Sequence, residues 1–501
     1  MSVISSYSNS ISASVKKWLK YHFLERKLKT IFGYLTITLV ALYVTSAIAL
    51  VNVSMGPALV AIFGVILFIV VVLKYPSFGL YFGFVYSSII ATLNRYFDPV
   101  SFFGYLEFPL YLLIFMSIML KYEYKKELDK KFLTAPPTLG LYLLFFWWIL
   151  EGFNPSMFSR MGWLSYFRNH IFIIIFYIIC YCLLNSKARI IFFVYFFIGL
   201  STCLALYACK QEWLGFFEFE ARTIRNNPTA QALLFQGGII RKFSTFSDPA
   251  ASGICFAAAA LQATILAWRD NGKARIWLFI AIVINLLGYS YSGTRTATLI
   301  IAGGIAFYMI ATFYEKRTLS FVGLIVVLYL CLSIFNSQNP VVARIKTAFD
   351  GSKDASASLR DFNRHNIQPY VLAHPMGGGV FTSGAEGPKY NPGHFLEKFQ
   401  PDSGYAKTMA EEGTIGLAIL LFFYLMVTRE GIKNFYRARD PEIQNHYIAS
   451  LVMFFSLLIA QYAQLSVSQN PMLIYFYGNM VIFTKLIKYD TKAVQLQYLR
   501  G

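Results

Sequence analysis

A succession of apolar runs, each long enough to cross a lipid bilayer, constrains what this chain can fold into. A spanning helix needs about 20 apolar residues, and about 17 are tolerated. Because backbone amides in lipid must be hydrogen-bonded within the protein, the pattern predicts an all-α polytopic membrane protein of about 12–14 transmembrane helices. Residues 276–313 can also be interpreted as one broken span. The predicted spans are 31–53, 56–73, 77–93, 102–120, 137–151, 169–185, 190–208, 250–268, 276–290, 296–313, 319–335, 412–428, 448–466 and 470–486.

Composition supports this class and argues against others. Hydrophobic residues make up 57% of the 501 residues and charged residues 14%, whereas soluble domains carry about 25% charged residues. The six cysteines all lie in or at the ends of apolar runs. A disulfide framework or a zinc cluster is therefore not expected.

The distribution of charge predicts the orientation. If the N-terminus is cytoplasmic, the inner segments carry a net charge of +17 and the remaining residues carry +2. This asymmetry follows the positive-inside rule and would violate it in an inverted chain. The basic excess is spread over short cytoplasmic segments, so it does not form the single basic face that nucleic-acid binding requires.

The same topology predicts five regions along the chain. The N-terminal segment is interpreted as a retained basic lead-in and not as a cleaved signal, because it has no short apolar core followed by small residues. The predicted regions are a cytoplasmic segment 1–30, eleven spans within 31–335, a periplasmic loop 336–411, three spans within 412–486 and a cytoplasmic tail 487–501.

One long polar stretch, Arg344–Gly416, interrupts the apolar runs. It contains three of the six histidines and the glycine triplet Gly377–Gly379. Connections between helices need only a few residues, so a polar insert of this length suggests a functional site. Apolar residues at helical spacing predict a helix within 357–374, which Pro375 and the glycines end.

Arginines collect beside the predicted outer ends of the spans. Singly, an arginine at a membrane boundary is most simply an anchor whose charge reaches the headgroups. Two or three that converge would form a bidentate clamp for a diphosphate without a metal. Arg295 lies in a very tight outer turn, YSGTR, and Arg241 in RKFSTFSDPAASG. The arginines in such positions are Arg168, Arg241, Arg295, Arg344 and Arg360.

Two residues of the insert are candidates for the proton acceptor of a reaction. Asp402, in PDSGYAKTMAEEGTIG, is either a helix N-cap together with Ser403 or a base. His394 is either a plain loop residue or a catalytic base. His374 is expected to end a helix before Pro375.

The polar insert leads into the next span through a short acidic and glycine-rich motif. Glu411 and Glu412 suit a helix N-terminus, where negative charge is favourable. Gly413 and Gly416 are expected to permit close helix packing.

The order of these motifs resembles the O-antigen ligase / O-antigen polymerase superfamily of bacterial membrane glycosyltransferases. The motifs are SDPAASG, SGTR between two spans, HPMGGG, and DSGYAKTMAEEGTIG before a span. The likeness covers residues 140–430. It implies transfer of a glycan from a polyprenyl-diphosphate carrier on the periplasmic side, without a metal or cofactor. It also implies that Arg241 and Arg295 hold the diphosphate, assisted by Arg360 or Arg344.

The chain departs from the pattern of the ligases at one position. Counting back from Glu411 and Gly413 places Asp402 where the ligases have histidine. An aspartate is a weaker base near neutral pH unless its surroundings raise its pKa. The departure leaves a repeat-unit polymerase open beside a ligase, with His394 as the alternative proton acceptor.

The predicted function is an inverting, metal-independent transfer of a glycan to a sugar hydroxyl of lipid A-core or of another lipid-linked unit. The predicted location is the bacterial inner membrane, with both termini cytoplasmic and the active site periplasmic. A polytopic transporter or flippase of lipid-linked oligosaccharide is the alternative, although such a protein is expected to carry charges near the midplane of its spans. A non-catalytic scaffold is a further alternative.

Overall fold

The computed structural model describes residues 55–97, 102–226, 234–236, 239–270, 274–334 and 355–491, together with the single residues 45, 228, 231 and 272. The chain divides into two compact units at residue 74. The described part of the first unit is a helix, Met55–Lys74, that is apolar along nearly its whole length. The second unit holds the site and is described in the following paragraphs.

Helices dominate the described residues of the second unit. The longer ones are Pro76–Tyr96, Glu107–Met119, Pro136–Leu150, Arg160–Leu183, Lys187–Trp213, Pro249–Arg269, Ala274–Ser292, Arg295–Ala311, Lys316–Ile334, Ala355–Ala373, Gly413–Arg437, Pro441–Ala460 and Met472–Lys485. Shorter helices are Phe103–Leu106, Tyr122–Lys125, Lys130–Leu133, Glu151–Phe153, Glu218–Asn226, Gly384–Glu386, Gly387–Tyr390, Gly404–Glu411 and Leu486–Tyr489. Two two-residue strands, Phe235–Gln236 and Ile239–Ile240, pair antiparallel with Phe235 opposite Ile240.

The predicted fold class is confirmed. Seven helices of the described residues are long and apolar enough to cross a membrane, and their ranges are Pro76–Tyr96, Arg160–Leu183, Lys187–Trp213, Pro249–Arg269, Ala274–Ser292, Gly413–Arg437 and Pro441–Ala460. Ile62–Lys74, Phe103–Met119 and Arg295–Ala311 are shorter apolar helices. Apart from residue 45, the predicted span 31–53 lies outside the described residues. The stretch 276–313 forms two helices, which Gly293, at φ +60°, separates.

The helix Pro249–Arg269 lies at the centre of the bundle, and most of its residues are buried. Asp248 begins it by accepting hydrogen bonds from the amides of Ala250 and Ala251, both at 2.9 Å. Its alanines, together with glycines on neighbouring helices, permit close approach. A Cβ on Gly304, for example, would lie 2.2 Å from a methyl of Leu261.

At two places the helices extend beyond the predicted apolar spans. The predicted outer segment 152–168 is helical from Arg160, after Ser159 accepts a hydrogen bond from the Gly162 amide at 3.2 Å. Arg168, Asn169 and His170 lowered the hydropathy without ending the helix. In the predicted inner segment 429–447, both flanking helices continue past the apolar run, and only Ala438–Asp440 separates them. Charged residues can extend a helix beyond the membrane, so hydropathy alone places its end too early.

Candidate active site

The described part of the predicted loop, residues 355–411, folds around a small apolar core, and we call it the loop module. Ile367, Val371, Leu396 and Ala410 form this core. The predicted helix within 357–374 is confirmed as Ala355–Ala373, and it ends before His374 and Pro375 as expected. The loop module therefore contains a helix and a small apolar core.

Asparagine side chains join the loop module to the segment that precedes the helix Arg160–Leu183. Asn391 Oδ1 accepts hydrogen bonds from the amides of Phe158 and Ser159 at 2.9 and 3.0 Å. Asn154 Nδ2 donates to the Met376 carbonyl at 2.9 Å. The segment and the module therefore form one layer, although they are more than 200 residues apart in sequence.

The glycine triplet is bonded to the acidic motif that leads into the helix Gly413–Arg437. The Gly378 and Gly379 amides donate to the carbonyls of Ala410 and Glu411 at 2.9 and 2.8 Å. Gly413 adopts φ +73°, and a Cβ on it would lie 2.0 Å from the Pro375 carbonyl oxygen. Glycine is required at Gly413 because both the backbone conformation and the available space exclude a side chain. The two motifs are thus one structural unit.

Glu411 holds the loop module in place and is almost completely buried. The Ser383 amide and Ser383 Oγ donate to its Oε1 at 3.2 and 2.6 Å. Hydrogen bonds to a charged group that water cannot reach are among the stronger ones in proteins. The Glu411 carboxylate therefore has partners from within the protein.

The variant Ser383→Ala is expected to lower the free energy of unfolding by about 1.5–3 kcal/mol, because the buried Glu411 carboxylate loses a hydroxyl donor. Thermal unfolding in detergent measures the change. Ser320→Ala, on the exposed face of the helix Lys316–Ile334, is the matched control. We expect that control to change stability by less than about 0.5 kcal/mol. Equal midpoints for the two variants would contradict this role of Ser383.

A cavity of about 540 Å³ lies among the ends of several helices and the helix Gly404–Glu411 of the loop module. Its volume is within the range of small-molecule sites, about 300–1,000 Å³. Aromatic rings and ionisable groups share the wall. The ionisable residues that line it, tyrosines aside, are Glu107, Arg168, His170, Lys407, Glu411 and Glu412.

Glu412 lies at the junction between the helix Gly404–Glu411 and the helix Gly413–Arg437. Its Oε1 accepts a hydrogen bond from the Tyr166 hydroxyl at 2.8 Å. Burial raises the pKa of Glu412 to about 7, and the neighbouring Glu411 adds to the shift. Burial likewise raises the pKa of Glu151 to about 8. Glu412 and Glu151 are therefore expected to keep their protons to a higher pH than ordinary carboxyl groups do.

Arg241 is hydrogen-bonded to the turn that leads into Arg295. The buried Arg241 donates from Nε to the Ser292 carbonyl at 2.8 Å and from Nη2 to Thr294 Oγ1 at 3.0 Å. Arg295 is the next residue, is exposed and begins the helix Arg295–Ala311. We call residues 291–295 with Arg241 the arginine turn. Its two guanidinium groups come from segments more than 50 residues apart.

Arg95 supports the segment that carries Arg241, and the sequence analysis missed it. Its Nη2 donates to the carbonyls of Phe246 and Ser247 at 2.5 and 2.8 Å. Its guanidinium carbon also lies 4.2 Å from the centre of the Phe243 ring. An arginine near the end of an apolar helix was the available signal.

The arginine turn does not line the cavity, but a short chain of contacts connects them. Thr294 Oγ1 donates to the Pro249 carbonyl at 2.8 Å. The preceding residue, Asp248, accepts a hydrogen bond from Gln469 Nε2 at 3.3 Å. The next residue, Asn470, lines the cavity and donates to Glu107 at 2.6 Å. The turn and the cavity are thus neighbours on the same side of the bundle.

The other two predicted arginines are not tested. Arg344 lies outside the described residues. Arg360 belongs to the helix Ala355–Ala373, but its side chain also lies outside what the structure describes. Their assistance to diphosphate binding stays a prediction.

The two predicted proton acceptors are not among the residues that line the cavity. Asp402 is exposed, and Ser403 caps the helix Gly404–Glu411 in its place by accepting from the Ala406 amide at 3.3 Å. His394 is buried in the loop module, where its Nδ1 accepts from the Leu396 amide at 3.1 Å. Burial lowers the pKa of His394. Its environment favours the neutral ring, although a backbone hydrogen bond with Ser156 opposes the shift.

Sequence reasoning missed Tyr166, His170 and Lys407 as wall residues and gave Glu412 only a helix-dipole role. The predicted start of the span at residue 169 separated Tyr166 from His170, although both belong to the helix Arg160–Leu183. They are four residues apart, the spacing that puts side chains on one helix face, and this was the available signal. Gly416 was expected to permit close packing, and a Cβ on it would lie 2.8 Å from Trp147 Nε1.

Comparison with known proteins adds one match. Residues 280–421 match the family model described as O-Antigen ligase. The matched range contains Arg295, the described loop module, Glu412, Gly413 and Gly416. No curated protein matches the chain. The resemblance to the O-antigen ligase / O-antigen polymerase superfamily is thereby confirmed, and residues 280–421 are the part of this chain that carries it.

Proposed function

We propose that this protein transfers a glycan from a polyprenyl-diphosphate carrier to a sugar hydroxyl of an acceptor. The observation that carries the proposal is the match of residues 280–421 to the O-antigen ligase family. The acceptor is either lipid A-core, which makes the enzyme a ligase, or a second lipid-linked unit, which makes it a polymerase. The several apolar helices agree with a multi-pass protein of the bacterial inner membrane. We assign the active site to the periplasmic face, with both termini in the cytoplasm.

The diphosphate of the donor is assigned to the arginine turn. Two guanidinium groups can bind phosphate oxygens through paired N–H donors and stabilise the negative charge that grows as the diphosphate leaves. The hydrogen bonds from Arg241 to Ser292 and Thr294 support this assignment, because they join Arg241 to the turn that leads into Arg295. Arg360 and Arg344 assist from the loop in this proposal.

The transfer step forms a bond between the acceptor oxygen and the anomeric carbon of the donor sugar. The bond from that carbon to the diphosphate oxygen breaks, and its electron pair leaves with the diphosphate. Attack from the face opposite the leaving group inverts the anomeric configuration. The acceptor hydroxyl gives up its proton during the attack. Because a diphosphate leaves readily, positioning and charge stabilisation account for most of the rate.

Purified protein in detergent is expected to release polyprenyl diphosphate from a lipid-linked oligosaccharide when an acceptor is supplied, and EDTA is expected to leave the rate unchanged. Lipid A-core and a second portion of the lipid-linked oligosaccharide are supplied in separate reactions. Chromatography of the lipid products measures the release. Because detergent provides no membrane to cross, a flippase would leave the donor intact. A strict requirement for a divalent ion would contradict the arginine assignment.

A deletion strain separates the two kinds of transferase. The surface glycans are compared by gel electrophoresis. Loss of the ladder of chain lengths alone would identify a polymerase. Accumulation of finished but unattached chains would identify a ligase.

A further inference from the structure

Three carboxylates line the cavity, and each of them accepts at least one hydrogen bond from the protein. Glu107 accepts hydrogen bonds from Ser87 and Asn470 through its two oxygens. Glu411 accepts two hydrogen bonds from Ser383. These bonds position the neighbouring elements, so we assign both carboxylates a structural role.

Glu412 is placed differently. A hydrogen bond of 2.8 Å from the Tyr166 hydroxyl fixes one of its oxygens, and the residue lines the cavity. Glu412 lies at the junction of two helices. The close approach at Gly413 and the hydrogen bonds of the glycine triplet fix the backbone of this junction. A carboxylate fixed in this way can act on a group bound in the cavity.

We propose that the cavity is the subsite of the acceptor sugar and that Glu412 is the catalytic residue that accepts the proton of its attacking hydroxyl, with Tyr166 as a positioning residue. The inference rests on the proposed function and adds to it the acceptor subsite and the proton acceptor. It replaces Asp402 and His394 in that role, since neither lines the cavity.

The wall of the cavity suits a sugar. Trp148, Tyr166, Tyr424 and Tyr477 supply aromatic surface, and aromatic side chains combine apolar faces with polar tips. Lys407 and Arg168 supply donors for hydroxyl groups. A cavity with apolar surface and a few polar groups can both bind a small ring and orient it.

The position of the cavity also suits the reaction. Asn470 lines it, and the adjacent Gln469 contacts Asp248, which begins the helix that packs against the arginine turn. A donor diphosphate held at the arginine turn would therefore place its sugar towards the cavity. The hydroxyl of the acceptor would approach from the side of Glu412.

The electrostatic surroundings of Glu412 support a base that works near neutral pH. Burial and Glu411 raise its pKa to about 7, while Tyr166, Lys407 and Trp147 oppose the shift. A general base is most effective when its pKa lies near the operating pH. The ionisable groups that act on it from the packed elements are Tyr166, Glu151, Lys407, Glu411, Tyr424 and Tyr477.

The proton is balanced in this step. The acceptor O–H bond breaks as the new C–O bond forms, and the proton passes to Glu412. The diphosphate leaves with the electron pair of the broken bond. Release of the product lets Glu412 return the proton to water, so no oxidant, reductant or metal is needed.

The variant Glu412→Gln tests the inference, because it keeps the shape of the side chain but cannot accept the proton. We expect its kcat for transfer in detergent to fall about 100-fold or more. The wild-type kcat is expected to rise with pH through an ionisation near pH 7, since only the deprotonated carboxylate is a base. The remaining activity of Glu412→Gln is expected to lack that ionisation.

Three further variants make the result decisive. Glu386→Gln removes a carboxylate of the loop module that does not line the cavity, and we expect it to retain wild-type kcat. A kcat for Glu412→Gln within fivefold of the wild type would overturn the inference. The inference would also be overturned if Glu412→Gln kept its activity while Asp402→Asn or His394→Gln lost it.

A fifth variant, Tyr166→Phe, tests the inference if Glu412→Gln does not fold. The hydrogen bond from Tyr166 lowers the pKa of Glu412, so Tyr166→Phe is expected to shift the rise of kcat to higher pH. An unshifted profile in a folded Tyr166→Phe variant would contradict the role of Glu412. Failure of the wild-type protein to consume the lipid-linked donor would instead refute the proposed function, so the two failures are distinguishable.

Discussion

Replacing Arg241 by lysine is expected to lower the rate of glycan transfer about 100-fold or more, although the positive charge is retained. An arginine presents paired N–H donors in a fixed plane, whereas a lysine presents a single ammonium group. Loss of one such donor to a developing negative charge costs about 10²–10³ in kcat in other enzymes. The change is measured as the release of polyprenyl diphosphate by purified protein in detergent.

Arg241 also bonds the arginine turn, so its replacement can lower stability as well as activity. Its hydrogen bonds to Ser292 and Thr294 are among the contacts that the replacement changes. Arg295 is exposed, and Arg295→Lys therefore changes the proposed diphosphate ligand with little effect on packing. We expect it to lose activity to a similar extent while the thermal midpoint stays close to that of the wild type.

The matched control is Arg225→Lys. Arg225 forms an exposed ion pair with Glu218 in the helix Glu218–Asn226, and exposed pairs contribute little. Its replacement is expected to leave the rate within about twofold of the wild type. Full activity in both Arg241→Lys and Arg295→Lys would refute the diphosphate assignment and favour a scaffold, which tolerates substitutions that preserve charge.

The variant Gly413→Ala is expected to lower the free energy of unfolding by about 2–4 kcal/mol and to abolish most transfer activity. A Cβ at this position would lie 2.0 Å from the Pro375 carbonyl oxygen, and φ is +73°. The Cβ would meet a backbone oxygen, so the clash cannot be relieved by rotation of a side chain. Separation of the glycine triplet from the acidic motif would also displace Glu412 from the cavity wall.

Gly323→Ala is the control for this variant. Gly323 lies within the helix Lys316–Ile334, and a Cβ on it would meet nothing within 4 Å. Alanine favours a helix by about 1 kcal/mol over glycine, so stability is expected to stay constant or rise. Thermal midpoints and transfer rates of the two variants are compared in the same detergent. A Gly413→Ala variant as stable as Gly323→Ala would contradict the requirement for glycine at position 413.

The fold class followed from sequence because lipid leaves few choices. An apolar run of spanning length must satisfy its own backbone hydrogen bonds, and helices do so locally. The loop helix Ala355–Ala373 was predictable for a similar reason, since its apolar spacing and the Pro375 stop are local signals. Boundaries such as Arg160 were not, because a few polar residues lower the hydropathy without interrupting a helix.

The candidate site was also predictable only in part from the sequence. The order of the motifs indicated the resemblance to the superfamily, and the tight turn drew attention to Arg295 and Arg241. The same reasoning favoured Asp402 and His394, because it weighed residue types and spacing and had no measure of burial. Exposure of Asp402 and the bond between His394 and Leu396 became evident only from the folded chain.

The sequence alone therefore determined that this chain is a polytopic helical membrane protein with an O-antigen ligase-like order of motifs. Tertiary structure decided which of its polar residues share a cavity, since Tyr166 and Glu412 are 246 residues apart and still 2.8 Å from each other. Helical periodicity and composition report on neighbours along the chain. The packing of distant segments places the functional groups, and it depends on contacts that spacing does not encode.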